Sequence, residues 1–248
     1  MAADLGHGPG TEKDRYPPAF GVLKTPEVDI VGVRLDQPAE FSAVLWQLLS
    51  RDERERAGKF HYAQHRQHYV VARASLRRLL AERLHVAPRA IELVETKYGK
   101  PQLAPVHGAP DIEFNLSHSG IIALYAFTRA CAVGVDVELI REVPDVDDLA
   151  EHFFSVTEAA LLRALPVDRR SLAFLACWTR KEAFIKALGL GLSCPLDAFD
   201  VTIDSDAPAR ITRIEKRIDT VANWTMQAFT PYHGYIAAVA YRRAECPS

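Results

Sequence analysis

Cysteine is scarce in this chain: Cys131, Cys177, Cys194 and Cys246 are spread over 248 residues with no C-x-x-C pair. Zinc ribbons need paired thiolates and small secreted folds need dense bridges, so both are excluded, and a reducing cytoplasm is the expected setting. No apolar run approaches the roughly 20 residues that a bilayer span needs. The polar opening from Met1 to Pro18, punctuated by Gly and Pro, has no apolar h-region, so no secretory signal is expected. Neither sign of charge dominates, since 30 Lys and Arg face 32 Asp and Glu for a net charge of -2. No global field therefore favours nucleic acid or an acidic membrane, and any basic site must be local. Catalytic signatures are missing too. Gly189-Leu190-Gly191-Leu192 lacks a Walker lysine, no G-x-S-x-G is present, and nine His residues form no H-E-x-x-H.

What is present is a chain with 48% hydrophobic and 25% charged residues, enough to bury a core. Residues 1–26 lack periodicity and are expected to be a flexible tail. Val28 to Leu35 predicts a strand, Phe41 to Leu49 a helix, and Ser50-Arg51-Asp52-Glu53 the capped start of another. A long helix is predicted over Gln64 to Leu84, then a strand over Ile91 to Thr96 and a basic turn over Lys97 to Pro101. Three further strands, Ile112 to Leu116, Ile121 to Arg129 and Ala132 to Ile140, suggest a meander. Helical patterns follow over Asp145 to Leu165 and Ser171 to Leu188, then strands over Phe199 to Ile203, Asp219 to Pro231 and Gly234 to Tyr241. The expected class is α+β, with small, mainly antiparallel sheets and helices in two halves, 27–132 and 133–248.

Two segments concentrate charge where packing expects apolar side chains. In Gly134-Val135-Asp136-Val137-Glu138, strand alternation puts both carboxylates on one face, with Gly134 leaving space beside them. They stand about 6–7 Å apart and repel unless a cation such as Mg²⁺ lies between them. In Trp178 to Lys186, residues Trp178, Lys181, Glu182, Ile185 and Lys186 fall at i, i+3, i+4, i+7 and i+8, the stripe a helix normally fills with apolar residues. Charges there must be paired or line a cleft. Phe114-Asn115-Leu116-Ser117-His118-Ser119-Gly120 is a polar strand end able to hold a phosphate. Taken singly, each motif also fits a structural role: a solvated acidic edge, an i,i+4 surface pair, a hairpin turn. Ser155-Val156-Thr157-Glu158 is accounted for as a capping box.

Together, Y-G-K-P (Tyr98 to Pro101), F-N-L-S-H-S (Phe114 to Ser119), G-V-D-V-E (Gly134 to Glu138) and W-T-R-K-E-A-F-I-K (Trp178 to Lys186) resemble the 4′-phosphopantetheinyl transferases, in their larger Sfp-like branch. The resemblance covers roughly residues 28–241. It implies two pseudo-symmetric halves with coenzyme A in the cleft between them. It also implies Mg²⁺-dependent transfer of the phosphopantetheine arm to a carrier-protein serine, releasing adenosine 3′,5′-bisphosphate, with Mn²⁺ as a substitute metal. The carriers would be those of fatty acid, polyketide or nonribosomal peptide synthesis. A cytoplasmic monomer is expected, with neither nucleic acid nor membrane as partner.

By the same resemblance Asp136, Glu138 and Glu182 hold the metal, and Lys181 and Lys186 contact phosphates or the leaving group. Lys97, Lys100, Pro101, Ser117 and His118 line the nucleotide region, and Arg73, in preference to His68, meets the 3′-phosphate. Glu182 is the expected base and Lys186 its catalytic companion. A non-catalytic domain keeping this fold, and a nucleic-acid binder built on the basic helix from Lys59 to Arg89, are the alternatives. The intact carboxylates and the balanced charge disfavour them. Carrier docking is expected along the stretch after Glu138, on Arg141, Phe153 and Phe154, with Asp145 to Asp148 turned away.

Overall fold

A computed structural model of the chain describes residues 16–38, 40–108 and 111–243. They form two compact units. Unit 1 comprises the described residues up to Phe20 together with Val33–Glu92, and unit 2 comprises Gly21–Gly32 and the described residues from Leu93 onward.

Unit 1 is built on three helices, α1 (Glu40–Leu48), α2 (Arg51–Gly58) and α3 (Ala63–Leu84). The expected capping box starts α2: Ser50 Oγ accepts from the Glu53 N–H, and the Glu53 carboxylate accepts from the Ser50 N–H at 2.8 Å. That carboxylate also takes the Arg77 guanidinium at 2.6 Å and stands 3.3 Å from Arg73 Nε. One buried Glu therefore satisfies a helix start and compensates two cations on α3, which lets α3 carry arginines within a buried face. Arg77 completes its bonding on the Ile91 carbonyl at 2.6 Å. The chain leaves α3 through His85 in the left-handed region, ahead of Pro88.

Unit 2 holds most of β1 (Ala19–Lys24) and β2 (Val28–Arg34), together with β3 (Leu93–Glu95), β4 (Pro101–Leu103), β5 (Ile112–Ser119), β6 (Ile122–Arg129), β7 (Val133–Leu139), β8 (Phe199–Val201), β9 (Ile211–Ile214), β10 (Trp224–Phe229) and β11 (Tyr235–Arg242). Its helices are α4 (Val146–Phe153), α5 (Val156–Arg163) and α6 (Val167–Leu188). One sheet has the order β1-β2-β6-β5, a second β10-β11-β7, and β3-β4 and β8-β9 are small ladders. All the registered ladders are antiparallel. The α+β class with small antiparallel sheets is thus as expected.

Several expectations are corrected. Residues 19–24, assigned to the tail, form a strand at a sheet edge, where one hydrogen-bonding side suffices and a Gly is tolerated. Residues 1–15 of that assignment lie outside the described residues. The meander stops after β5 and β6, because β7 takes its ladder from β11 instead. The helix over Asp145 to Leu165 is two helices, since Phe154 is extended and Ser155 opens a new capping box with Glu158. Within unit 2, β5 and β6 cluster with β7 and α6.

The contact that positions the site is α6 on β7. Val133, Val135 and Val137 are buried, as alternation requires. Gly134 leaves no spare room, contrary to expectation. A Cβ there would stand 2.1 Å from the Ala183 carbonyl oxygen and 2.3 Å from the Ala187 nitrogen. The missing side chain lets the α6 backbone press onto β7. Gly134, Asp136 and Glu138 share a face, so both carboxylates look toward the helix that carries Glu182 and Lys186.

Candidate active site

All of the site lies in unit 2, where α6, β7 and β5 converge. The Lys186 ammonium donates to Asp136 Oδ1 at 2.6 Å and to Ser117 Oγ at 2.9 Å, and the Ser117 hydroxyl donates to the same Oδ1 at 2.8 Å. Asp136 Oδ2, also buried, has no hydrogen-bond partner among the described residues. One residue pair along each strand, the Ser119 hydroxyl donates to Glu138 Oε2 at 2.9 Å and accepts from the Leu139 N–H at 3.1 Å. Asn115 continues the row, its Oδ1 accepting from the Val135 N–H at 3.0 Å. Asn115, Ser117 and Ser119 are alternate residues of β5, so one polar face of that strand runs along β7 and fixes its carboxylates.

Electrostatics mark the same place. Burial pushes the Glu138 carboxyl above the ordinary range, and the Asp136 charge adds to this against the Ser119 bond and the Arg141 and Lys186 charges. Burial also raises Glu182, against the opposing Lys186 ammonium, and the Asp136 and Glu138 charges add to the rise. Three crowded carboxylates with one ammonium leave the site short of positive charge. Desolvation and the Lys186 charge hold the His118 imidazole below its ordinary range, although the residue stays exposed. Desolvation likewise lowers Lys100, whose ammonium donates to the Val133 carbonyl at 3.0 Å.

The orphaned Asp136 Oδ2 and the two raised carboxyls fit a hard divalent cation in donor chemistry. Among the described residues no group of three or more His, Cys, Asp or Glu is arranged to hold a metal ion on its own. A cation here would need substrate oxygens or water to complete its shell.

Comparison with known proteins points to the family that the motifs resemble. Residues 132–240 match the 4′-phosphopantetheinyl transferase superfamily and residues 36–129 the 4′-phosphopantetheinyl transferase N-terminal region. The 4′-phosphopantetheinyl transferase HetI of Nostoc is 33% identical over 224 residues, covering 90% of this chain and 91% of the relative. The chain belongs to the 4′-phosphopantetheinyl transferase family. Sfp of Bacillus subtilis is 30% identical over 184 residues, 73% of this chain and 80% of its own. The rat L-aminoadipate-semialdehyde dehydrogenase-phosphopantetheinyl transferase is 27% identical over 227 residues, 86% and 73%. Both matched regions of this family member contain helices and antiparallel strands, as the two-half expectation has it.

Within this transferase fold, Asp136, Glu138, Glu182, Lys186 and Ser117 come together, and His118 lies within reach of the Lys186 charge. Lys97 is exposed, its ammonium 5.4 Å from the Tyr98 ring centre, and Pro101 opens β4. Arg73 lies in unit 1, ion-paired with Glu53. Lys181 is corrected. Its ammonium is fully buried, 2.7 Å from Glu158 Oε2, and donates to the Leu196 and Phe199 carbonyls at 2.7 and 2.6 Å. Three partners use its three donors, so it is a core cation facing away from the carboxylate site. Phe154 is buried against Phe174 at 4.9 Å and is not free for docking, and the half-buried Phe153 meets the Trp178 ring edge-on at 5.6 Å. Sequence reasoning placed Asn115 and Ser119 in a phosphate-holding motif but missed their bonds to β7, and it missed the pairing of Glu158 with Lys181. The alternation of polar residues along β5 was the available signal for the first two. Glu158 had already been accounted for by its cap.

Proposed function

We propose that the chain transfers the 4′-phosphopantetheine arm of coenzyme A to a serine of acyl or peptidyl carrier proteins, with Mg²⁺. The observation that carries this is the grouping of Asp136, Glu138, Glu182 and Lys186, with one buried carboxylate oxygen left unpartnered, in a chain of this family. Asp136, Glu138 and Glu182 would hold the metal. When bound, Mg²⁺ would neutralise pyrophosphate charge as the P–O bond breaks.

The chain's own residues supply the rest. Lys186, already fixed by Asp136 and Ser117, adds a positive charge for the departing phosphate. The serine oxygen attacks the pantetheine-side phosphorus, the bond to the bridging oxygen breaks, and its electron pair leaves with adenosine 3′,5′-bisphosphate. The serine proton passes to a carboxylate, and Glu182, made more basic by burial, suits that role. Lys100 and His118 would line the nucleotide region and offer positive charge to its phosphates. Arg73 as the 3′-phosphate contact rests on the family pattern alone.

Incubation of apo carrier proteins with coenzyme A and Mg²⁺, followed by mass spectrometry, tests the reading. The expected product is a carrier heavier by one phosphopantetheine. Asp136→Asn should lower the rate by about 10²–10³-fold with its melting temperature nearly unchanged. Absence of product from wild type, or near wild-type turnover by Asp136→Asn, would contradict the reading.

A further inference from the structure

Immediately beyond Glu138 the chain leaves apolar side chains in solvent. Leu139 and Ile140 are 38% and 43% exposed, and Tyr232 is 38% exposed. They form one patch. The Ile140 N–H donates to the Gly234 carbonyl at 2.9 Å, which ties the end of β7 to the loop that carries Tyr232. The Tyr232 ring lies 6.3 Å from the Tyr235 ring, and the Tyr235 hydroxyl accepts from the Ile121 N–H at 3.1 Å. Gly120 fills the corner: a Cβ there would meet the Tyr235 hydroxyl at 2.5 Å and Leu139 Cδ2 at 3.7 Å. The inner border is the site itself, because Ser119 Oγ bonds both Glu138 and the Leu139 N–H.

We propose that Leu139, Ile140 and Tyr232 seat the segment of the carrier protein that bears the acceptor serine. The proposal rests on the transfer reading above. Three observations choose this occupant. First, the patch is continuous with the carboxylates: a strand rises about 3.3 Å per residue, so Ile140 begins roughly 7 Å from Glu138. A serine brought to Glu138 and Glu182 therefore lays its flanking residues across the patch. Second, the patch does not suit coenzyme A, whose phosphates seek cations; its charged neighbours in sequence, Arg141 and Glu142, are both exposed and cancel. Third, of the aromatic pair first expected to anchor a carrier, Phe154 is in the core and Phe153 is half-buried against Trp178, so most of the apolar part of docking must come from elsewhere. An apolar patch of this kind, rimmed by polar groups, is the usual form of a protein contact. With the flanking charges balanced, recognition depends on apolar fit, and the carrier KM should respond weakly to salt.

The experiment compares wild type with Ile140→Ser, Tyr232→Ser and the double variant, using an apo acyl carrier protein and an apo peptidyl carrier domain with coenzyme A and Mg²⁺. Val156→Ser, outside the patch, is the control. The double variant should raise the carrier KM about tenfold or more, and each single variant about threefold, as loss of buried contacts does. The KM for coenzyme A and the melting temperature should stay near wild type. If the double variant melts early, the single variants decide. An unchanged carrier KM, or equal rises for carrier and coenzyme A, overturns the docking assignment while the transfer reading stands. A wild-type protein that modifies neither carrier overturns both, and the mass spectrum alone separates that case.

Discussion

Glu182 shows how one residue is tuned by what surrounds it. Its carboxyl is raised because burial and two neighbouring anions disfavour its charge. The folded chain therefore holds the proton more tightly than the unfolded chain, whose value stays near 4.5. Stability that is complete below that value is lost as pH rises toward the raised one. Metal-free Glu182→Gln, which cannot ionise, should lose less stability than wild type over that window. Urea unfolding from about pH 4 upward checks this. Parallel curves would remove the crowding of carboxylates as the cause. Asp136 could be predicted as acidic and inward-facing from its strand. That one of its oxygens is shared by Ser117 and Lys186 while the other has no partner is a matter of side-chain placement from three elements, and no spacing encodes it.

Helix α6 is the element on which the site turns, and it sends two like charges to different places. Lys181 points into the core and Lys186, five residues on, points at Asp136. Five residues are 1.4 turns, so the two ammonium groups leave the helix in different directions. Reading both into a single polar stripe is what misplaced Lys181. Lys181→Met should destabilise the protein by about 3–5 kcal/mol, because Glu158 is then a buried carboxylate without its cation. Lys181→Met combined with Glu158→Gln should recover part of that loss in a double-mutant cycle. A stable Lys181→Met with a raised KM for coenzyme A would instead restore the phosphate role. At the other side of the interface, Gly134→Ala should cost about 1–3 kcal/mol, since its Cβ meets helix backbone that cannot rotate away. The same change displaces Glu182 and Lys186 from Asp136, so transfer should fall more than stability alone explains; denaturant unfolding and turnover on one preparation separate the two effects.

At the scale of the whole molecule, balanced charge sets what the chain does not attract. With a net charge of -2 it should form no salt-dependent complex with duplex DNA tighter than about 10⁻⁴ M, measurable by fluorescence anisotropy. The α+β class, the long helices over 63–84 and 167–188, the capping boxes at Ser50 and Ser155, and the two charged motifs were all determined by the sequence, because periodicity, caps and strand alternation are local rules. Only the tertiary structure decided that β7 pairs with β11 rather than β6, that β1 forms a sheet edge within the expected tail, and that Phe153 and Phe154 pack inward while Leu139 and Ile140 do not. These depend on which surfaces meet across long stretches of chain. A strand's hydrogen-bond partner and a side chain's burial are properties of two segments together, and each segment alone carries half of that information.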